Sequence, residues 1–362
     1  MKPNFSGRLT TARQRMSELG LDAFVVTHLP NVLYLCGFTG SNALLFVSQD
    51  AAYLFTDGRY TIQAHDEAPD TKVRIARTAL GEALGVFLKS KKQRRGRVGY
   101  DPVHVNVSEW GRLNEAAGKG VRWKPAPGLV ERMREVKDSA ELQVMRESAR
   151  IGSEVMTEVL KLAKPGISEL ELSAEVDYRM RRKGASGPSF DTIVASGPRS
   201  ALPHAHPSAK VLVKNELVVF DLGAILRHYC SDLTRTVYLG RATPKIRAWY
   251  RAVEEAQQAA LAVLKVNVAA ADVDRAARRV LQAHGLAKNF VHGTGHGVGI
   301  EIHESPRLGR KQQQIIQAGN VVTLEPGIYM EGIGGIRLED EVAVHASGTE
   351  VLTNAPRGLL EL

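Results

Sequence analysis

Residues 291–304 read VHGTGHGVGIEIHE, setting His292, His296 and His303 among four glycines in a chain that has eleven histidines. Imidazole can bind a metal or move a proton near neutral pH, so the clustering points to chemistry. Two other segments carry acids where apolar residues are expected. Residues 216–240, ELVVFDLGAILRHYCSDLTRTVYLG, read as a β-hairpin turning near Leu226 and Arg227. A two-residue loop there sets Asp221 directly opposite Asp232, on one side of the sheet. Residues 320–344, NVVTLEPGIYMEGIGGIRLEDEVAV, repeat the pattern, with Glu325 and Glu339 near-opposed about Gly332. Alternation in IRLEDEVAV puts Arg337, Glu339 and Glu341 on one face and Leu338, Asp340 and Val342 on the other. A lone acid in such a strand reads as a surface residue or half a salt bridge. Opposed acids in a buried sheet repel unless a proton is shared or a cation lies between them. Four acids and one imidazole make an oxygen-rich set that suits a pair of divalent ions such as Mn²⁺, Co²⁺ or Zn²⁺.

The elements that must hold these residues fall into two domains, 1–134 and 135–362. The first is a mixed α/β domain. A helix is predicted from about Ser6 to Leu19, followed by strands in DAFVVT, NVLYLCGFTG, NALLFVS and AAYLFTDGRY. The prolines and charges of VRWKPAPGLVERMREVKD suit a crossing, which sets the boundary at Arg134. A helix with a capping box, Asp138 and Glu141, opens the second domain. That domain contains an internal echo: the stretches from Leu160 and from Leu261 each read as helix end, turn and amphipathic helix, and each leads into a histidine-bearing strand. Two similar halves can build a site where they meet.

Composition excludes several classes. No apolar run approaches the length needed to span a bilayer, and the N-terminus lacks the apolar core of a signal peptide, so a cytoplasmic protein is expected. Cys36 and Cys230, far apart in apolar runs, read as buried thiols rather than a disulfide framework. The net charge of +9 and the run KSKKQRRGR, Lys89 to Arg97, raise nucleic-acid binding. No aromatic residues interleave with those charges, so the run reads as a solvated connection.

FDLGA, SDLTRT, HGTGHGVG, TLEPGIY and IRLED together resemble the ordered motifs of the pita-bread metallopeptidases, from Asp138 to the end of the chain. That superfamily includes prolidase, aminopeptidase P, methionine aminopeptidase and creatinase. NVLYLCGFTGSNALLFVS and TDGRYTIQA resemble the creatinase-like N-terminal domain of prolidases and aminopeptidase P, which simple methionine aminopeptidases lack. The resemblance implies an α+β protein with a pita-bread catalytic domain and a smaller α/β N-terminal domain. It further implies two divalent ions per chain, Mn²⁺ first with Co²⁺ or Zn²⁺ as alternatives, and a homodimer. Creatinase keeps this fold without the metal set, whereas here every ligand position is filled. By resemblance Asp232 and Glu339 bridge both ions, Asp221 completes one site, and His296 with Glu325 completes the other.

The activity implied is hydrolysis of Xaa-Pro imide bonds in proline-containing peptides by a metal-bridging hydroxide. Glu325 would carry a proton to the leaving nitrogen, which in proline has no N–H of its own. His204, His303 and His292 would position the substrate carbonyl or stabilise the tetrahedral intermediate, with His206 as a further substrate contact. Arg337 is a candidate to hold Glu339 or touch substrate. A dipeptidase must also grip the free carboxylate after proline, for which Arg307, read as lying in a loop past His303, is the first candidate and Arg310 the second. Xaa-Pro dipeptidase is the leading reading and Xaa-Pro aminopeptidase the alternative. A non-catalytic basic binding module on the same fold is the remote third, and it would be expected to have lost metal ligands.

Overall fold

The structure is a computed structural model describing residues 3–90 and 96–362. Residues 91–95, within the basic run read above, lie outside the described residues. The chain divides into two compact units, Met1–Arg134 and Glu135–Leu362.

In the first unit the elements run α1 (Phe5–Glu18), β1 (Ala23–Val26), α2 (Leu29–Cys36), β2 (Ala43–Ser48), β3 (Ala52–Asp57), α3 (Thr61–Glu67) and β4 (Lys72–Ala76). They continue with α4 (Leu80–Ser90), β5 (Arg97–Tyr100), α5 (Val107–Ala117), β6 (Arg122–Pro125) and α6 (Glu131–Arg134). One six-stranded mixed sheet, ordered β4-β3-β2-β1-β5-β6, carries the unit. The strand expected in NVLYLCGFTG is instead helix α2. Pro30 lies in its first turn, and Gly37 ends it with φ of 84°. Pro at a helix start and Gly just past its end are helix signals. They were outweighed by a short apolar run whose periodicity cannot separate a buried strand from a buried helix.

The second unit runs α7 (Ser139–Leu160), α8 (Glu169–Arg182), β7 (Gly187–Pro188), β8 (Ile193–Ser196), β9 (Glu216–Leu222), β10 (Ala224–Leu226), β11 (Tyr229–Cys230), β12 (Leu233–Leu239), α9 (Pro244–Val263) and α10 (Ala270–Ala283). It ends with β13 (Gly295–Gly297), β14 (Glu304–Leu308), β15 (Val321–Leu324), β16 (Gly327–Met330), β17 (Gly334–Arg337), β18 (Asp340–His345), β19 (Gly348–Val351) and β20 (Leu360–Glu361). The expected capping box is present: the Asp138 side chain accepts from the Glu141 N–H, and Glu141 reaches back to the Asp138 N–H. The echo is real at the level of hydrogen bonds. Glu169 N–H donates to the Lys210 carbonyl as Ala270 N–H does to Gln314, and Leu212 N–H donates to Ile167 as Ile316 N–H does to Val268. Isolated bridges Ser168 to Val211 and Ala269 to Ile315 repeat the correspondence. Asp221 then falls nine residues past Leu212, and Glu325 nine past Ile316. Each helix pair covers its own sheet. One apolar core contains Val155, Val176, Val194 and Phe220, and the other Val253, Val273, Val322 and Val342. Among the described residues no helix is long and apolar enough to cross a membrane.

The two acid-bearing hairpins differ in how they match expectation. In the second, β16 pairs with β17 and β15 with β18 in one continuous register, which places Glu325 and Glu339 opposite each other between the two ladders. In the first, Leu226 pairs with Tyr229 and Asp221 with Thr234, so Asp232 is not directly opposite Asp221. The turn lies at Arg227 and His228, both with positive φ, 46° and 71°, as a tight hairpin turn of this hand requires. The error is two residues. Because side chains alternate with period two, Asp232 moves to a diagonal position and keeps its face. The same register projects Gly223 opposite Asp232. A Cβ on Gly223 would lie 1.8 Å from the Ser231 carbonyl oxygen, a backbone atom that cannot swing away. Gly223→Ala is therefore expected to lower stability by about 3 kcal/mol or more, read as a fall in the thermal unfolding midpoint. An unchanged midpoint would contradict this packing.

Candidate active site

Helix α10 fixes the histidine-bearing stretch from behind. Arg278 Nη1 donates to the Phe290 carbonyl at 3.1 Å and Nη2 to the His292 carbonyl, while Asp274 Oδ1 accepts from the Thr294 N–H and hydroxyl at 3.1 and 2.9 Å. Gly295 then lets β13 lie against β15, because a Cβ there would meet the Thr323 carbonyl oxygen at 1.9 Å. The result delivers His296 into the interior, 8% exposed.

Ligand atoms of Asp232, His296 and Glu339 all lie within 4.8 Å of one another. His296 Nδ1 is 3.0 Å from the Gly297 carbonyl oxygen, which can only accept, so Nδ1 carries the proton and Nε2 presents a lone pair. That bare nitrogen faces two carboxylates, Asp232 Oδ2 at 3.6 Å and Glu325 Oε1 at 3.7 Å. Asp221 stands nearby with Oδ1 buried and without a partner. Its Oδ2 accepts from Arg337 Nη2 at 2.6 Å. Lone pairs pointing at one another across such gaps leave room for cations, and a backbone-held imidazole among carboxylate oxygens is a divalent-metal donor set. The residues present fit a metal centre.

The electrostatics agree in direction. Burial, then repulsion from Glu339 and Asp221, holds Asp232 well above the ordinary carboxylate range. Burial, then Glu325 and Asp221, does the same to Glu339. Glu325 and Glu341 are each pushed up to about 8, chiefly by burial. Burial pulls His292 and His296 down to about 4, so both are neutral at pH 7 and able to act as ligands or acceptors.

An open cavity of about 550 Å³ adjoins these groups. It is lined by every candidate ligand and substrate contact named above except Arg310. His303 packs edge-on against His296, ring centres 4.4 Å apart. His204, His206 and Arg307 are exposed on its wall. Arg307 lies on strand β14 rather than in the expected loop, because Leu308 pairs with Gly295 and extends the sheet. Arg337 does not bond the Glu339 side chain. Its guanidinium donates to Asp221, to Tyr329 Oη at 2.9 Å, to the Pro203 carbonyl at 3.1 Å and to Thr234 Oγ1 at 3.2 Å. It is 4% exposed, and four of its five N–H donors are engaged within the protein.

Three further residues hold the site without a role assigned to them by sequence, although Glu341 is placed on the acid face by alternation. Thr234 donates its hydroxyl to Glu339 Oε2 at 2.6 Å and its carbonyl accepts from the Glu339 N–H. Tyr329 Oη accepts from Arg337 and lies 2.8 Å from His292 Nε2. Since His292 Nδ1 faces the Gly293 carbonyl, Nε2 must accept the tyrosine's proton. Glu341 accepts from the Asp232 N–H at 3.1 Å. Period two along SDLT and IRLEDE was the signal for Thr234 and Glu341. Tyr329 left no sequence signal beyond its place in TLEPGIY.

Residues 143–346 match the profile of metallopeptidase family M24, and residues 8–136 that of the creatinase/prolidase N-terminal domain. An uncharacterised peptidase of Bacillus subtilis is 35% identical over 98% of this chain and 100% of its own. A solved Xaa-Pro dipeptidase from Bacillus anthracis superposes with a TM-score of 0.94, at 34% identity over 99% of this chain and 100% of that one. An X-Pro aminopeptidase from Thermotoga maritima gives 0.87, also at 34% identity, over 96% and 100%.

Raised carboxylates make the metal-free chain sensitive to pH in a definite direction. Folded, Glu325 holds its proton up to about 8, and Asp232 and Glu339 are raised as well; unfolded, they release theirs in the ordinary range. Where the folded state binds more protons, stability falls as pH rises. Chelator-stripped protein is expected to have a lower thermal midpoint at about pH 8.5 than at about pH 6. Added Mn²⁺ should oppose that trend, because binding favours the deprotonated ligands, and raise stability by about 2.7 kcal/mol per ion at a hundredfold excess over Kd. A stripped protein that gains stability over this pH interval would refute the electrostatic reading.

Proposed function

The chain belongs to metallopeptidase family M24, and from that premise we propose that it is an Xaa-Pro dipeptidase using two divalent metal ions. The observation that carries the reading is the bare His296 Nε2 aimed at Asp232 and Glu325 beside the unpartnered Asp221 oxygen. Asp221, Asp232, His296, Glu325 and Glu339 would hold the ions, Mn²⁺ first, with Co²⁺ or Zn²⁺ as alternatives. The chemistry such ions supply when bound is Lewis-acid polarisation of the scissile carbonyl and acidification of water.

The chain's own residues do the rest. Glu325 reaches the cavity, 19% exposed at its side chain, where it can take up a proton and return it to the leaving nitrogen. That return is required because the proline nitrogen leaves as a secondary amine. Arg337 pins Asp221 and, through Tyr329, orients His292 beside Glu325, 3.9 Å away. His204 and His303 stand on the cavity wall, where they can donate to the substrate carbonyl, with His206 as a further contact. Arg307, exposed on the same wall, is the group for a free carboxylate after proline.

The likeness to the Bacillus anthracis Xaa-Pro dipeptidase favours the dipeptidase reading, and the likeness to the Thermotoga maritima enzyme keeps Xaa-Pro aminopeptidase as the second. A paired assay of Xaa-Pro against Xaa-Pro-Xaa with Mn²⁺, Co²⁺ and Zn²⁺ separates them. Faster turnover of the dipeptide is expected, and a preference for the longer substrate overturns the dipeptidase assignment. Asp232→Asn is expected to abolish both activities, whereas a fully active variant would end the metallopeptidase reading. Arg307→Leu should raise KM for the dipeptide by roughly 10–100-fold, the loss of one charged hydrogen bond, while an Xaa-Pro-Xaa amide is little affected.

A further inference from the structure

Behind the proposed metal ligands, strands β15 and β18 carry a polar cross-strand pair that the catalytic reading leaves unused. Thr323 and Glu341 face each other in the ladder, and each is 0% exposed. Neither side chain lines the cavity. Thr323 Oγ1 accepts the N–H of His296 at 3.2 Å, and Glu341 Oε2 accepts the N–H of Asp232 at 3.1 Å. Those two N–H groups belong to different segments, β13 and the stretch leading into β12. Both side chains come from a third place, one rung of the β15–β18 ladder.

We propose that Thr323 and Glu341 act together as a backbone clamp, positioning residues that set the separation of His296 and Asp232 and so the affinity of the site for its ions. This rests on the assignment of His296 and Asp232 as metal ligands. Ladder pairing lapses at both clamped residues, although the glycines flanking His296 pair with β14 and β15. Gly295 and Gly297 are the only neighbours of His296 in β13, and the register shifts between them. Asp232 lies between β11 and β12 and outside both. A ligand on an irregular segment keeps its place only if its backbone is tied elsewhere, and a buried N–H left without an acceptor is costly. The clamp supplies that tie to both residues. Glu341 Oε1 is itself buried without a partner, so the side chain is held in the core chiefly by its bond to the Asp232 N–H. An apolar residue would fill that space at lower desolvation cost. Placing a carboxylate there makes sense if the acceptor is what matters.

The test uses the full-length chain, stripped of metal and titrated with Mn²⁺ in competition with a chelating dye. Thr323→Val keeps the β-branched shape and removes the acceptor, and Glu341→Met keeps length and removes the acceptor. Each is expected to weaken Mn²⁺ binding about 10–100-fold, the range seen when a group supporting a metal ligand is lost. Thr323→Ser and Glu341→Gln keep an acceptor in place and should stay within about threefold of the parent protein. The clamp is overturned if the Thr323→Val and Glu341→Met proteins bind Mn²⁺ as the parent does. It is also overturned if Thr323→Ser and Glu341→Gln lose as much affinity as the apolar variants, because packing rather than acceptance would then be responsible. A parent chain that binds no Mn²⁺ overturns the metal reading and the clamp together, so the two failures are distinct. Should Glu341→Met fail to fold, the two Thr323 variants alone decide.

Discussion

Five carboxylates, Asp221, Asp232, Glu325, Glu339 and Glu341, crowd one region of the second unit, and among the described residues the guanidinium bonded to their side chains is that of Arg337. The unit must fold around that crowding of acids. Hydrophobic burial on both sides of the site must outweigh it, and two separate apolar cores, one under each helix pair, lie where they can. The acids cannot relieve one another by taking up water, because four of them are less than 9% exposed. Without a cation, Asp232, Glu339 and Glu341 hold their protons above the ordinary carboxylate range: burial raises all three, and repulsion from neighbouring acids raises Asp232 and Glu339 further. The charge excess is thus a poor way to stabilise a fold and a good way to bind a dication.

The internal echo explains how so many acids reach one place. Each half consists of a helix pair, an outer bridge beside the second helix and a hairpin carrying two acids, and matching backbone bonds tie the halves to a common plan. Positioning one acid pair by this plan positions the other, since Asp221 and Glu325 occupy corresponding places. The halves are not copies in chemistry. Where the second half presents His296 from a glycine-lined strand, the first offers only exposed His204 and His206 on the cavity wall. The imidazole therefore comes from one side alone, and the donor set is mostly oxygen.

Much of this was legible because the signals were periodic. Glu325 and Glu339 could be placed opposite each other from the position of Gly332, whose φ of 74° marks the turn. The first hairpin was misread by two residues, since Arg227 and His228 do not advertise a positive-φ turn as Asn-Gly would. An even slip left Asp221 and Asp232 on one face, so the site survived an error that an odd slip would have destroyed. Helix α2 was lost to a strand because an apolar run buried on nearly all sides has no period to read. Tyr329 is a different case. Its role arises from a contact with His292 across distant segments, which local pattern cannot report.

Arg337 shows why residue type alone misassigns a role. An arginine within a peptidase site invites a substrate carboxylate, and alternation correctly put it on the acid face. Yet Asp221, Tyr329, Pro203 and Thr234 each accept from it. Four of its five N–H donors are engaged in this way, which leaves at most one for a substrate. Its value is as the fixed positive charge that offsets Asp221 while one oxygen of that carboxylate remains free. Under the proposed dipeptidase reading, recognition of the substrate carboxylate would fall to an arginine exposed on the cavity wall. Arg307, on strand β14, is the cavity-lining arginine that meets that description.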